Sequence, residues 1–162
     1  MKKIIALSLL SLLCCVAGFA DGKKDRKAKA IKELLDTRNF VFVAKTVVPM
    51  SMRNRKLSAG YDLRVAKDTI IAYMPYYGRA YSKRKTTSDV GSIVFTGYEF
   101  EYTVEDARKG WNVIIITKDT EYEYKLNLYV SENGSANLQI TDNCREPIIF
   151  NGNVQWKPEK MR

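Results

Sequence analysis

The amino-acid sequence predicts a mainly β fold: an antiparallel up-and-down meander forming a small barrel, with one N-terminal α-helix. Three observations point there. From Asn39 onward apolar residues recur at every second position, the period of a half-buried strand. The runs are joined by short polar turns such as Lys67-Asp68, Lys118-Asp119 and Glu132-Asn-Gly134, too short to hold the crossover helices of a parallel sheet. Ahead of them, Ala28, Ile31, Leu34 and Leu35 fall on one helical face. A sheet with one greasy face per strand must curl onto itself or stack on a second sheet, so a two-layer β-sandwich is the alternative.

Taken in order, Met1-Lys-Lys3 and the apolar run Ile4 to Phe19 read as a secretory signal, too short and too N-terminal for a comfortable membrane span. Gly18-Phe-Ala20 supplies a small-x-small pattern, which places cleavage after Ala20 and makes residues 1–20 the signal peptide. Cys14 and Cys15 offer the alternative of a lipid anchor, although Leu12 and Leu13 stand where small residues normally precede a lipidated cysteine. The expected location is therefore the periplasm or cell envelope. Residues 21–38 form a basic leader and a short amphipathic helix over Asp25 to Thr37, docking on the sheet.

Residues 39–157 form a single β domain, followed by a tail at 158–162. Phe40, Phe42 and Ala44 share one face of the first strand, and Val41 and Val43 suggest burial on both sides. Pro49 to Ser58 reads as a basic loop. Tyr61 to Val65 and Thr69 to Met74 form a hairpin. Alternation is clearest over Tyr98 to Val104, Trp111 to Ile115 and Tyr122 to Val130, and Glu132-Asn-Gly134 is the strongest hairpin signal. Pro147 to Phe150 and Val154 to Trp156 are expected as two short closing strands around Asn151-Gly152.

Composition excludes several chemistries. Among 162 residues there is no histidine, which removes the usual general base near neutral pH, His-dependent triads and the commonest zinc ligand. Loss of residues 1–20 removes Lys2 and Lys3 and no acid, so the net charge falls from +9 to +7. It also leaves Cys144 as the remaining cysteine, unable to form an internal disulfide and with no histidine to activate it. No phosphate-binding glycine loop, metal spacing or nucleophile–base pair occurs, so neither a cofactor nor a metal is expected, and no enzyme.

The most informative stretch is Tyr73-Met-Pro-Tyr-Tyr-Gly-Arg-Ala-Tyr-Ser82. Pro75 pushes Met74 toward extended geometry and Gly78 permits a sharp bend, so the segment displays Tyr76, Tyr77, Arg79 and Tyr81 at a strand end. Tyrosines offer a flat apolar face with a polar tip, and Arg79 can grip a carboxylate, phosphate or sulfate. These four are the candidate ligand-binding residues, at the mouth of a barrel holding a small amphipathic or anionic ligand. In the plainer reading the tyrosines fold back to cap the core. Lys83-Arg84-Lys85, with Arg53, Arg55 and Lys56, forms a basic cluster that reads first as solvated loop. An exported protein meets little nucleic acid, so nucleic acid is not an expected partner. Glu99, Glu101, Glu121 and Glu123 alternate outward like a solvated sheet face rather than flanking a cleft.

Met74-Pro-Tyr-Tyr-Gly-Arg-Ala-Tyr-Ser82, followed by Ser88-Asp-Val-Gly91 and Phe95, resembles a family of exported bacterial proteins catalogued as domain of unknown function 4251, typical of Bacteroides-like gut anaerobes. Asn133-Gly-Ser-Ala-Asn-Leu138 is similar to the family's late hairpin, and Asn143 to Gly152 to its ending, with Cys144 as a departure. The resemblance covers nearly the whole mature chain and implies a lipocalin-like β-barrel. It implies no activity, and some relatives resemble lipoproteins. The function expected is a non-enzymatic envelope protein binding a small ligand at the barrel mouth. The alternative is a solid-core interaction module recognising an envelope protein or a glycan through its surface. Membrane association is expected only if Cys14 or Cys15 is lipidated.

Overall fold

The computed structural model describes residues 17–81 and 91–156. The apolar run up to residue 16, with Cys14 and Cys15, and the basic cluster at 83–85 lie outside the described residues.

The helix α1 spans Ala17–Asp36, longer than the 25–37 read from apolar spacing. Apolar spacing marks only the docked half, where Ile31, Leu34 and Leu35 are buried; the lysine-rich preceding turns are good helix formers without an apolar face. The helix ends in a Schellman motif: Arg38 N–H donates to Leu35 O and Asn39 N–H to Leu34 O, with Arg38 in the left-handed region (φ 52°). Arg38 takes the place glycine usually fills, and its guanidinium lies over the Tyr102 ring, 4.8 Å from the centroid. The Tyr102 hydroxyl donates to the same Leu35 O at 2.7 Å, giving that last-turn carbonyl a second donor.

Among the described residues ten strands follow: β1 (Phe40–Pro49), β2 (Arg55–Lys56), β3 (Asp62–Val65), β4 (Ile70–Pro75), β5 (Ser92–Gly97), β6 (Phe100–Ala107), β7 (Gly110–Thr117), β8 (Lys125–Ser131), β9 (Ser135–Thr141) and β10 (Ile148–Trp156). All pairings between them are antiparallel. The sheet runs β5-β4-β3-β1-β10-β9-β8-β7-β6, with the short β2 attached to β1. Its two edges, β5 and β6, are consecutive in sequence, so this is an up-and-down order opened between them: a curled half-barrel in one sheet, not a two-layer sandwich. At the joint, Tyr98 N–H donates to the Asp119 carboxylate at 2.8 Å and Lys118 N–H to Glu99 O at 2.8 Å. Nearby, the Phe95 ring of β5 stacks on Tyr124, with centroids 4.4 Å apart.

One core fills the concave side. Phe40, Phe42, Leu63, Leu126, Leu138 and Phe150 are fully buried there, and Ile31, Leu34 and Leu35 of α1 join the same cluster. The alternation read in the sequence produces this, because every second residue of each strand turns inward. α1 lies against β6, β7 and the β8–β9 turn, where a methyl group on Gly134 would meet Ile31 Cδ1 at 3.2 Å.

Three local expectations change. The two closing strands are one strand, β10, that runs straight through Asn151-Gly152. Gly152 is not a turn there. It lies opposite Ala44 at a bulge in β1, and a Cβ on it would stand 2.0 Å from Val43 O. The basic loop after β1 contains β2, paired to Thr46 and Val47. β8 begins at Lys125 rather than Tyr122, because Tyr124 N–H bonds the Thr117 hydroxyl and closes a bend first.

Candidate functional site

β4 ends at Pro75, and the chain continues through Tyr76-Tyr77-Gly78-Arg79-Ala80-Tyr81 beside the segment that links β9 to β10. A short ladder holds the two together: Tyr81 N–H donates to Cys144 O (2.8 Å) and Glu146 N–H to Arg79 O (3.0 Å), with Ala80 opposite Arg145. The Glu146 carboxylate adds a strap, accepting from the Ser51 hydroxyl at 2.8 Å and from Arg79 N–H at 3.3 Å.

Beneath the ladder lies a buried charged cluster. Arg145 is 2% exposed. Its Nε donates to Asp142 Oδ2 at 2.7 Å, and the two side chains are 1% and 3% exposed. Nη1 donates to Ser92 O at 3.0 Å, Nη2 stands 3.5 Å from the Tyr124 hydroxyl, and the guanidinium lies 4.5 Å from the Tyr76 ring centroid. Asp142 also accepts the Cys144 N–H at 2.8 Å. A buried charge persists only when it is paired and bonded in this way. Arg145 thereby joins β5, the approach to β8 and the β9–β10 segment at one point.

The four sequence-predicted residues divide around this cluster. Tyr76 is 5% exposed and belongs to the core. Its hydroxyl lies 2.9 Å from Arg79 O and 3.1 Å from Glu146 O. Burial pushes its phenol pKa up, while the Arg145 charge pulls the other way. Tyr77 is half-buried with the Arg55 guanidinium 5.0 Å from its ring centroid. Arg79 is exposed, and Tyr81 is 69% exposed. What contacts the Tyr76 hydroxyl is the backbone carbonyl of Arg79, not its guanidinium. A Cβ on Gly78 would sit 2.6 Å from the Tyr76 hydroxyl, so a larger residue there must displace the phenol.

Asp142, Arg145 and Glu146 were not singled out by the sequence. Charged residues in a loop give no periodic signal, and their default reading is solvated. The available hint was an Asp and an Arg three residues apart, just before Pro147 and a strand.

A second feature is on the convex side. Ile71, Tyr73 and Val94 are 37%, 51% and 54% exposed. Tyr73 and Val94 are direct cross-strand partners, and Tyr61 stacks on Tyr73 at 5.6 Å. Beside them Arg64 and Asp62 close a bidentate pair of about neutral net charge. The equivalent face of β8 and β9 carries Asn127, Tyr129, Asn137 and Gln139.

Among the described residues no group of three or more His, Cys, Asp or Glu side chains is placed to hold a metal ion. No described helix is long and apolar enough to cross a membrane.

A one-sheet antiparallel half-barrel, plugged by its own side chains and flanked by one N-terminal helix, defines a class of small β proteins rather than a chemistry. The model of the family described as "Domain of unknown function (DUF4251)" matches residues 22–154, and the chain belongs to that family. A solved structure with a similar fold is the crystal structure of a DUF4251 family protein from Bacteroides eggerthii DSM 20697 at 1.95 Å resolution. The match covers 80% of this chain and 87% of that one, with a TM-score of 0.64 and 11% identity. At that identity the likeness speaks to fold alone. No curated protein matches the sequence.

Proposed function

We propose that the chain is an exported, non-enzymatic envelope protein that works as a solid-core interaction module, and that the outer face of β3, β4 and β5 receives another protein. The observation carrying this reading is the exposed stripe of Ile71, Tyr73 and Val94. An antiparallel sheet normally turns its polar positions to solvent, as β8 and β9 do here. Clustered exposed apolar residues rimmed by polar groups mark contact surfaces, whereas single ones need no explanation. The aliphatic pair and the self-compensated Arg64–Asp62 bridge suit an uncharged apolar protein surface better than a glycan, which favours open aromatic faces. Tyr73 already has Tyr61 stacked on it.

The test is photo-crosslinking in the native envelope, with the reactive residue placed at Val94 or, as a control, at Asn137. A discrete protease-sensitive adduct from position 94, absent at 137 and lost with Tyr73→Ser, is the expected result. Equal adducts at both positions, or none at 94, remove the basis for the reading.

A small amphipathic or anionic ligand at Tyr77, Arg79 and Tyr81 is the second reading, favoured by the outward placement of Arg79 and Tyr81. Tyr76 would then support the site from below rather than line it. Native mass spectrometry decides: a co-purifying small molecule that disappears in Arg79→Ala would put this reading first.

A further inference from the structure

Neither reading uses the hollow between the middle of α1, the turn joining β6 to β7 and the end of β8. It has a volume of about 330 Å³, and Lys24, Lys27 and Lys109 line it together with Tyr129, Ser131 and Glu132. That is the lower end of the size range of small-ligand sites. Lys24 and Lys27 are one turn apart on α1 and so share a face. Lys109 comes from the opposite wall, in the left-handed region at φ 59°. The Tyr129 hydroxyl lies 3.1 Å from Arg108 O and 3.3 Å from Lys109 O, which pins the turn that carries this lysine.

The charge around the hollow is unbalanced. Glu132 is the single acid in the lining, and Lys24 lies 3.5 Å from it. Lys27 and Lys109 join no ion pair among the described residues, and Arg108 next to them joins none either. Three lysines against one glutamate leave a local excess of two positive charges. Like charges gathered around one concavity repel each other, and the concavity focuses their field on whatever enters. At the rim, Asn133 Oδ1 is held by Ser135 N–H (2.8 Å) and by the Ser131 hydroxyl (2.6 Å), which directs its amide NH2 away as a neutral donor.

We propose that this hollow binds a phosphate-class oxyanion carried on a small polar head group. Lys27 and Lys109 would clamp the oxyanion from opposite walls, and Lys24 would move between Glu132 and the ligand. Lysine suits this as a point charge with three rotatable donors. A monoester dianion matches the excess charge, and the volume leaves room for the carrier. A phosphorylated saccharide and an anionic lipid head share this chemistry.

The experiment titrates the purified chain with inorganic phosphate, with glycerol 1-phosphate, and with vesicles containing phosphatidic acid or phosphatidylcholine alone. The variant Lys27→Glu/Lys109→Glu is compared with Lys45→Glu/Lys67→Glu, exposed positions elsewhere that change the net charge equally. The site variant is expected to weaken binding about tenfold or more, and the control pair by no more than about twofold. In spectra of the wild-type chain, the amide signals of Lys109 and Glu132 should shift on titration. Site-specific loss with glycerol 1-phosphate supports a soluble source; the same loss with the anionic vesicles alone supports a lipid source. Equal losses in both variants would mean that net charge does the work, and would overturn the proposal. Failure of every probe to bind the wild-type chain overturns it too.

Discussion

Replacing Arg145 with methionine removes the guanidinium that joins three parts of the sheet. The change takes away the 2.7 Å bond to Asp142, the 3.0 Å bond to Ser92 O and the contact over Tyr76. Breaking one side of a buried ion pair costs about 3–5 kcal/mol, because the other charge stays buried. Asp142 keeps the Cys144 N–H at 2.8 Å, so its carboxylate is not left bare. That places Arg145→Met near the lower end, about 3 kcal/mol. Asp142→Asn strips the guanidinium of its counter-charge and is expected to cost a similar amount. In the double variant neither charge remains, and methionine still covers the Tyr76 ring. Its cost should therefore fall short of the sum by about 2 kcal/mol or more. Urea denaturation of the three variants and the parent measures this, with an unchanged m value as the check that one transition is compared. A loss below about 1 kcal/mol in Arg145→Met, or simple additivity in the cycle, would refute the claim that the pair acts as a unit.

Three other outcomes are expected. Gly152→Ala places a methyl 2.0 Å from Val43 O, so the β1 backbone must move; equilibrium unfolding should show a loss of at least about 2 kcal/mol. Gly78→Ala meets a movable partner, the Tyr76 hydroxyl at 2.6 Å, and should cost about 1–2 kcal/mol, less than additively when combined with Tyr76→Phe. Burial raises the Tyr102 phenol above its ordinary value, so the neutral form is favoured in the folded chain. Its contribution is fully present below about pH 10 and is lost as pH rises toward the folded value, so unfolding measured across alkaline pH should show a shallower decline in Tyr102→Phe. Tyr76 titrates in the same sense, so the decline is not abolished.

The meander was legible because burial writes a period of two into β1, β3, β4 and β6 to β9, and several turns between them carry Lys-Asp or Asn-Gly signals; β5 (Ser92–Gly97) was not read as a strand, although its burial alternates in the same way. Where tertiary contact overrode local chemistry, the sequence misled. Asn151-Gly152 carries a turn signal, yet its glycine is there to let β10 approach the β1 bulge. Tyr76 and Tyr81 look alike in a list of aromatics, but one is 5% and the other 69% exposed. Their difference depends on a ladder with residues 144–146, far away in sequence. Arg145 was invisible for the same reason: its partners Ser92 and Tyr124 lie 53 and 21 positions away. The exposed stripe on β4 was written in the sequence as Ile71 and Tyr73. Only the strand order sets Val94 and Tyr61 beside it.

That division changes how the Tyr-Tyr-Gly-Arg-Ala-Tyr segment should be probed. Its first half serves the fold: Tyr76 covers Arg145, its hydroxyl sits between two carbonyls, and Gly78 leaves it room. Its second half leaves side chains free for contact, since the ladder that fixes Arg79 and Tyr81 uses their backbone and leaves both side chains outside. A motif with one function throughout would lose activity at any of these positions without losing stability. Here Tyr76→Phe should lower stability by about 1 kcal/mol while leaving any binding through Arg79 and Tyr81 intact in the folded fraction. Arg79→Ala and Tyr81→Ala should leave the unfolding midpoint within about 0.5 kcal/mol of the parent, because no described side-chain bond depends on them. If instead Arg79→Ala destabilised the chain as much as Tyr76→Phe does, the guanidinium would belong to the fold, and a binding role for this segment would lose its main support.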